Sequence, residues 1–204
     1  MDEITVTDKS LAEEKVLASR FIAILFPCHT KEEFDNFLQK TRKDYPKATH
    51  YCYAFRLPKE EGFSDDGEPS RSVGLPLLEL LRGKGLSRVG LVVVRYFGGT
   101  KLGLGRLKRV YLNVAAKTLE QAPLFSVIPA VKLLIESDYS SYERIKKEAL
   151  LRGYRLLDES FSSSVRFSLL LDGTLVGRFE ETLSPSSRII ARTDNEVILR
   201  SLAL

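Results

Sequence analysis

The sequence predicts an α+β protein of two domains, and three observations lead to this prediction. Apolar runs typical of strands alternate with segments whose apolar residues recur every three or four positions, as in helices. One such helical segment ends near residue 122, where Pro123 cannot continue it. The 82 residues that follow read in the order β-α-β-β-α-β, the ferredoxin-like arrangement. We therefore expect an N-terminal domain of residues 1–122 and a C-terminal, ferredoxin-like domain of residues 123–204.

The first domain is predicted to mix strands and helices. Val89–Phe97 is apolar almost throughout, which indicates a strand at the centre of its sheet. Thr30 is a predicted N-cap, and Pro46 ends the helix that follows it. In chain order we expect a strand over Ser19–Phe26, a helix from Thr30 to Tyr45, a strand over His50–Phe55, a polar loop over Pro58–Ser70, a helix over Leu75–Leu81, the strand Val89–Phe97 and a helix over Leu104–Glu120.

The second domain is predicted to have four strands or more and two helices. The first helix is expected over Tyr142–Leu151, with Ser140 or Ser141 as its N-cap, and it ends at Gly153, a residue suited to the left-handed conformation of a C-cap. The remaining elements are strands over Val127–Ile135, Tyr154–Leu157 and Val165–Leu171, a helix over Thr174–Leu183, and one or two strands over Ile189–Leu199 with a turn at Asp194-Asn195. Two helices would cover one face of this sheet and leave the other face open.

Composition excludes several classes of protein. With 204 residues, 44% of them hydrophobic and 28% charged, the chain can bury a core without metal or disulfide support. The longest apolar run, Phe21–Phe26, is too short to cross a membrane, and the acidic N-terminal segment does not resemble a secretory signal. Two cysteines, Cys28 and Cys52, indicate a reducing compartment, so we expect a cytoplasmic protein without a membrane partner.

Positive charge is concentrated in one part of the chain. The net charge is +4, yet all nine charged residues between Leu80 and Leu119 are basic, which leaves −5 on the remainder. Such a stretch either binds a polyanion or forms a solvated face whose acidic partners come from elsewhere in the fold. The nine are Arg82, Lys84, Arg88, Arg95, Lys101, Arg106, Lys108, Arg109 and Lys117.

A glycine-rich turn lies inside this basic stretch, between the predicted central strand and the long helix. Its sequence, GGTKLGLGR from Gly98 to Arg106, brings two cations to a helix N-terminus, where free backbone N–H groups favour anions. The spacing matches neither a phosphate-binding loop nor a dinucleotide-binding fingerprint, so no nucleotide cofactor is expected. We expect anion or nucleic-acid contacts from Arg95, Gly98, Gly99, Lys101, Arg106, Lys108 and Arg109, with His50 and Tyr96 in support.

An acidic loop, GFSDDGEPS from Gly62 to Ser70, is the second candidate site. Asp65, Asp66 and Glu68 could hold a divalent cation, or one aspartate could cap the following turn while Glu68 faces solvent. These acids could also neutralise Lys101 or Arg106 when no ligand is bound. Our prediction assigns no metal to the protein.

Histidine and cysteine offer a third, weaker pattern. His50 and Cys52 share a strand face, so they could form a nucleophile and its base, and with Cys28 and His29 they could be read as a zinc set. The spacing suits one tetrahedral site poorly, and a buried cysteine is usually a small apolar residue. No catalytic residues and no cofactor are therefore predicted.

Five segments resemble the IMPACT/YigZ family in its bacterial form, and they occur in the family's order. They are SRF at Ser19–Phe21, THYCYA at Thr49–Ala54, GFSDDGEPS at Gly62–Ser70, GLPLLELL at Gly74–Leu81 and VVVRYFGGTKLGLGRLKRVY at Val92–Tyr111. The resemblance implies an N-terminal β-α-β sandwich similar to domain IV of elongation factor G and a C-terminal domain similar to its domain V. Two departures stand out: Arg71-Ser72-Val73 replaces small residues, and Arg106 replaces a common glycine.

The resemblance also bears on function. Eukaryotic members regulate translation through an additional N-terminal domain, which this chain is expected to lack. Nucleic-acid or ribosome binding is the usual inference for bacterial members. We therefore expect a non-enzymatic, RNA- or ribosome-associated protein that modulates translation. Two alternatives stay open: a metal-assisted hydrolase with its cleft between the acidic and glycine-rich loops, and a module that binds a translation or stress factor.

Overall fold

The computed structural model describes residues 3–202, except for the side chain of Asn195. This part of the chain divides into two compact units, one within Met1–Ser126 and Ser201–Leu204, the other Val127–Arg200. The fold is α+β with two sheets and five helices, so the predicted two-domain α+β class is confirmed. The predicted boundary after residue 122 lies four residues before the division, and we keep residues 1–122 and 123–204 as proposed domains.

The first unit is built on an antiparallel sheet in the order β2-β3-β6-β4-β5. As predicted, β6 is central; every residue from Val89 to Arg95 is buried, because layers of side chains cover both faces of the sheet. Its elements are β1 (Glu3–Val6), β2 (Ser10–Val16), β3 (Ser19–Pro27), α1 (Lys31–Asp44), β4 (His50–Arg56), β5 (Glu61–Ser64), α2 (Gly74–Gly83), β6 (Val89–Tyr96) and α3 (Leu104–Glu120).

Two hydrophobic cores lie on opposite faces of this sheet. The larger core packs α2 and α3 on one face, where Tyr111 meets Phe21 edge to face at 5.2 Å between ring centroids. The smaller core places Phe34 of α1 against the other face. Alternation along β4 therefore sends Cys52 into the larger core and Tyr51 into the smaller one.

The second unit has the predicted β-α-β-β-α-β order. Its strands pair in the order β10-β7-β9-β8, with β9 antiparallel to both β7 and β8, and α4 and α5 contribute to its core. The elements are β7 (Leu124–Ser137), α4 (Tyr139–Arg152), β8 (Arg155–Phe161), β9 (Val165–Asp172), a 3-10 turn (Gly173–Leu175), α5 (Val176–Glu180) and β10 (Arg188–Ser201). The strand β7 begins in the first unit, and β1 pairs with it.

Several predicted elements differ from the structure. The loop predicted over Pro58–Ser70 contains β5, and the predicted helix over Thr174–Leu183 is reduced to the 3-10 turn and α5. The helix α4 is capped by Asp138, whose carboxylate accepts the Ser141 N–H at 2.7 Å, rather than by Ser140 or Ser141. The strand β10 runs through positions 194 and 195 without the predicted turn.

Candidate functional site

Eight of the nine basic residues fall into two groups, and the ninth, Lys84, is exposed and forms no ion pair with a residue that the structure describes. Four are neutralised by glutamates from distant parts of the first unit, so the solvated-face interpretation holds for nearly half of the stretch. These ion pairs are Arg82–Glu61, Arg88–Glu3, Arg95–Glu68 and Lys117–Glu14.

Four other cations lie where α3 begins, and we call Lys101, Arg106, Lys108 and Arg109 the α3 basic surface. All four are exposed, and none forms an ion pair with a residue that the structure describes. The first turn of α3 contains no acidic residue, and its N-cap, Gly103, offers no side chain to the free N–H groups. Since helix N-termini favour anions, the helix adds to the positive potential of these side chains.

The glycines of the turn have different local roles. A Cβ atom at Gly98 would lie 2.0 Å from the backbone carbon of Ala18, so this glycine permits close packing of two chain segments. Gly99 and Gly103 have φ values of +86° and +76°, a conformation that side chains disfavour. At Gly105 nothing lies within 4 Å of an added Cβ. Gly98 and Gly99 therefore shape the turn from which Lys101 and α3 emerge.

The two aspartates of the acidic loop bind other parts of the fold. Asp65 accepts backbone N–H groups from residues 71, 73 and 74 at 2.7, 2.9 and 2.8 Å, and so ties the loop to the start of α2. This matches the interpretation of Asp65 as a cap. Asp66 pairs with Arg42 at 2.8 Å and accepts the Tyr51 N–H at 2.6 Å.

Glu68, the third acid of the loop, is buried rather than exposed to solvent. Its side chain is 5% exposed, forms an ion pair with Arg95, and accepts a hydrogen bond from the Tyr111 hydroxyl at 2.8 Å. Its cationic partner is thus Arg95, not Lys101 or Arg106 as the sequence suggested. Among residues 3–202, no three acidic, histidine or cysteine side chains are grouped as a metal site requires.

A cavity of about 400 Å³ lies beside this ion pair, at the start of α3. It contains the buried Arg95–Glu68 pair, His50 and Lys101, and its remaining wall is mostly apolar. The full lining is Thr49, His50, Glu68, Pro69, Arg95, Phe97, Lys101, Leu102, Gly103, Leu104 and Leu107. Strand register explains part of this assembly, because His50 of β4 lies directly opposite Arg95 of β6.

His50 and Cys52 form separate hydrogen bonds. The His50 Nδ1 atom lies 2.8 Å from the carbonyl oxygen of Asp66, while the Cys52 thiol contacts the carbonyl of Asp65 at 3.0 Å and the Tyr111 hydroxyl at 3.4 Å. Burial raises the pKa of Cys52 to about 12 and that of Cys28 to about 11. Neither cysteine is therefore a ready thiolate nucleophile.

Two aromatic residues lie at the end of the central strand: Tyr96 is its last residue, and Phe97 follows it. Tyr96 is half-buried, its hydroxyl donates to the Pro46 carbonyl at 3.3 Å, and Arg20 lies 5.8 Å from its ring centroid. Phe97 is 42% exposed and lines the cavity, so it is the better stacking platform of the two.

Sequence reasoning missed the apolar wall and the role of Tyr111. Leu102 and Leu104 alternate with the glycines of the turn, and this alternation was the available signal for side chains grouped beside the anion site. The Tyr111 hydroxyl pairs with an acid 43 residues away, a contact that the spacing of residues along α3 does not reveal.

Comparisons with known proteins agree with this architecture. Residues 17–119 match the family described as the Impact N-terminal domain. An IMPACT family member of Thermus thermophilus is 41% identical over 155 residues, which cover 75% of this chain and 84% of that protein. The Escherichia coli IMPACT family member YigZ is 31% identical over 182 residues, 86% of this chain and 88% of YigZ.

A solved structure is similar as well. The crystal structure of a protein described only as hypothetical superimposes with a TM-score of 0.64 at 26% identity, over 96% of this chain and 100% of that one. Among the described residues, no helix is long and apolar enough to cross a membrane. The domain match and the identities over most of both chains lead to one conclusion: this chain belongs to the IMPACT family.

Proposed function

We propose that this protein binds RNA, free or in the ribosome, through the α3 basic surface, and that this binding modulates translation. The observation that carries the proposal is the contrast within the basic stretch: four of its cations are paired with acids, whereas four exposed and unpaired cations lie together at a helix N-terminus. Membership in the IMPACT family favours a target in the translation machinery.

The chemistry of this surface suits a phosphate backbone. Lysine and arginine side chains release counterions when they neutralise phosphates, and helix N–H groups add hydrogen-bond donors. In this proposal Lys101 and Arg106 contact phosphates first, with Lys108 and Arg109 extending the contact along α3. Gly98 and Gly99 fix the turn, and Arg95 takes part indirectly through its ion pair with Glu68.

The proposal places the protein in the cytoplasm, in keeping with its two free, buried cysteines. A metal-assisted hydrolase is less well supported, because Asp65, Asp66 and Glu68 each have other partners. A role as a protein-binding module makes a different experimental prediction, namely an association with a translation factor that survives nuclease treatment.

Removing two cations from the α3 basic surface tests the proposal. We expect the variant Lys101→Ala/Arg106→Ala to bind a short labelled RNA at least about tenfold more weakly, because two phosphate contacts are lost. Fluorescence anisotropy at low and physiological salt measures the affinity, and co-sedimentation with ribosomes extends the measurement to the larger target.

The matched control is Arg144→Ala/Lys147→Ala, which removes the same charge from exposed positions on α4. We expect its affinity to stay within about twofold of the wild-type value. Equal losses in both variants would mean that net charge alone controls binding, and an unchanged affinity in the first variant would refute the assignment to α3.

A further inference from the structure

The cavity beside α3 has an apolar, partly aromatic wall that stays open to solvent. Phe97 is 42% exposed and Leu104 is 62% exposed, and both line the cavity. With Leu102 and Leu107 they line a volume of about 400 Å³. A flat, apolar group such as a heterocyclic ring suits this wall, because aromatic faces stack on one another.

A buried hydrogen-bond donor in the cavity lining has no partner. The Arg95 side chain is 5% exposed, and its Nη1 atom pairs with Glu68, yet its Nε–H has no hydrogen-bond partner among the described residues. The guanidinium lies 5.3 and 5.2 Å from the ring centroids of Phe21 and Phe97. The Nε atom is itself buried, so the guanidinium is held by Glu68 and the two rings and forms a fixed part of the cavity wall.

His50 provides a hydrogen-bond acceptor in the cavity lining. Its Nδ1 atom lies 2.8 Å from the Asp66 carbonyl oxygen, which can only accept, so in the neutral ring the hydrogen is on Nδ1. The Nε2 atom is then an acceptor, and at 3.9 Å from Glu68 Oε1 it lies beyond hydrogen-bond distance of that carboxylate. His50 Nε2 can therefore accept a hydrogen bond from an amino or imino group at the edge of a nucleobase in the cavity.

The positive charge at one end of the cavity suits an anionic group of the ligand. Lys101 lines the cavity, and α3 begins there with its N–H groups uncapped by any side chain. A phosphate at this end and a base against Phe97 together describe a single nucleotide.

We infer that the cavity receives one unpaired nucleotide of an RNA, with its base stacked on Phe97 and its phosphate at Lys101 and the start of α3. This inference rests on the proposed function and narrows it, because a base inside a duplex is already stacked and paired. Single-stranded RNA, or an unpaired nucleotide in a folded RNA, is therefore the preferred ligand over a continuous duplex.

The test compares single-stranded and duplex RNA of the same length on Phe97 variants. We expect Phe97→Ala to weaken single-strand binding about tenfold and to leave duplex binding within about twofold, whereas Phe97→Tyr retains the ring and the affinity. Phe97 is partly exposed, but its ring also contacts the buried Arg95 guanidinium, so urea unfolding of each variant checks that the fold is intact. Equal effects on the two RNAs, or no effect on either, would overturn the inference.

Competition separates the base from its phosphate. An excess of a nucleoside 5′-monophosphate should displace labelled single-stranded RNA from the wild-type protein, while ribose 5-phosphate, which lacks the base, should not. Equal displacement by both compounds, or by neither, would refute a base in the cavity. If Lys101→Ala/Arg106→Ala weakens binding while Phe97→Ala has no effect, the proposed function stands and the nucleotide site falls.

Discussion

Glu68 is the buried acid of the candidate site. It is buried with Arg95, and removing one member of a buried ion pair leaves an uncompensated charge in a poorly solvated place. We expect Glu68→Ala to lower the free energy of unfolding by about 3–5 kcal/mol. Urea denaturation followed by circular dichroism measures the change.

Replacing both members of the pair provides the control. In Glu68→Leu/Arg95→Met no charge remains buried, so we expect a smaller loss of stability than in Glu68→Ala. Tyr111 loses its acceptor in both proteins, which makes the comparison specific to the charge of Arg95. A double variant less stable than the single one would contradict this account of Glu68.

At the residue scale, the sequence predicted the candidate residues better than their partners. Asp65, Asp66 and Glu68 stand within four positions and were grouped as one site, yet their partners lie on different elements of the fold. Arg95 is 27 positions from Glu68, so the pairing depends on how β6 and the loop meet. Local spacing carries no information about such contacts.

Two glycines of one turn should respond in opposite ways to the same substitution. We expect Gly98→Ala to lower the free energy of unfolding by about 3 kcal/mol, the upper end of the usual range for overpacking, because its Cβ would overlap the backbone of Ala18. Gly105 lies in α3 with free space around it, so Gly105→Ala should stabilise the helix by about 0.5–1 kcal/mol. Thermal unfolding measures both, and similar shifts in the two variants would contradict the assigned roles.

Glu136 on β7 forms ion pairs with arginines of two other strands, β9 and β10. It binds Arg188 of β10 at 2.6 Å and Arg166 of β9 at 3.4 Å, and hydrogen bonds from Arg188 and Ser164 lower its pKa from 4.5 to about 2. A carboxyl group whose pKa is lowered in the folded protein stabilises the fold at every pH above its ordinary pKa of about 4.5. This stabilisation is lost as the pH falls from about 4.5 to about 2.

The variant Glu136→Gln tests this linkage. We expect it to be less stable than the wild type at pH 7 and to approach the wild type in stability as the pH falls from about 4.5 toward about 2, because over this range the unfolded wild-type chain binds a proton at Glu136 while the folded protein does not. Urea unfolding at a series of pH values gives the comparison. A stability difference that does not change with pH would show that the ion pairs of Glu136 contribute nothing.

At the element scale, long and strongly periodic segments were predictable, whereas short ones were not. The apolar run of β6 and the spacing in α1 and α3 indicated the correct elements. The predicted helix over Thr174–Leu183 is shorter because the chain first forms a 3-10 turn, in which Asp172 accepts the Thr174 N–H at 2.9 Å. β5 spans only four residues and depends on its pairing with β4, which the sequence of a polar loop does not signal.

At the scale of the whole molecule, the distribution of charge says more than its sum. A net charge of +4 alone would give weak, unspecific attraction, but four exposed and unpaired cations of the basic stretch lie together at the start of α3. The sequence revealed the basic stretch, and only the fold separates its paired residues from its free ones. A concentrated field of this kind steers a polyanion to one face.

The salt dependence of RNA binding tests the central claim most directly. Each phosphate contact contributes about 0.7–0.9 to the slope of log affinity against log salt concentration. For Lys101→Ala/Arg106→Ala we expect a slope smaller than the wild-type slope by about 1.5, and for Arg144→Ala/Lys147→Ala an unchanged slope. The same slope in all three proteins would contradict phosphate binding by the α3 basic surface.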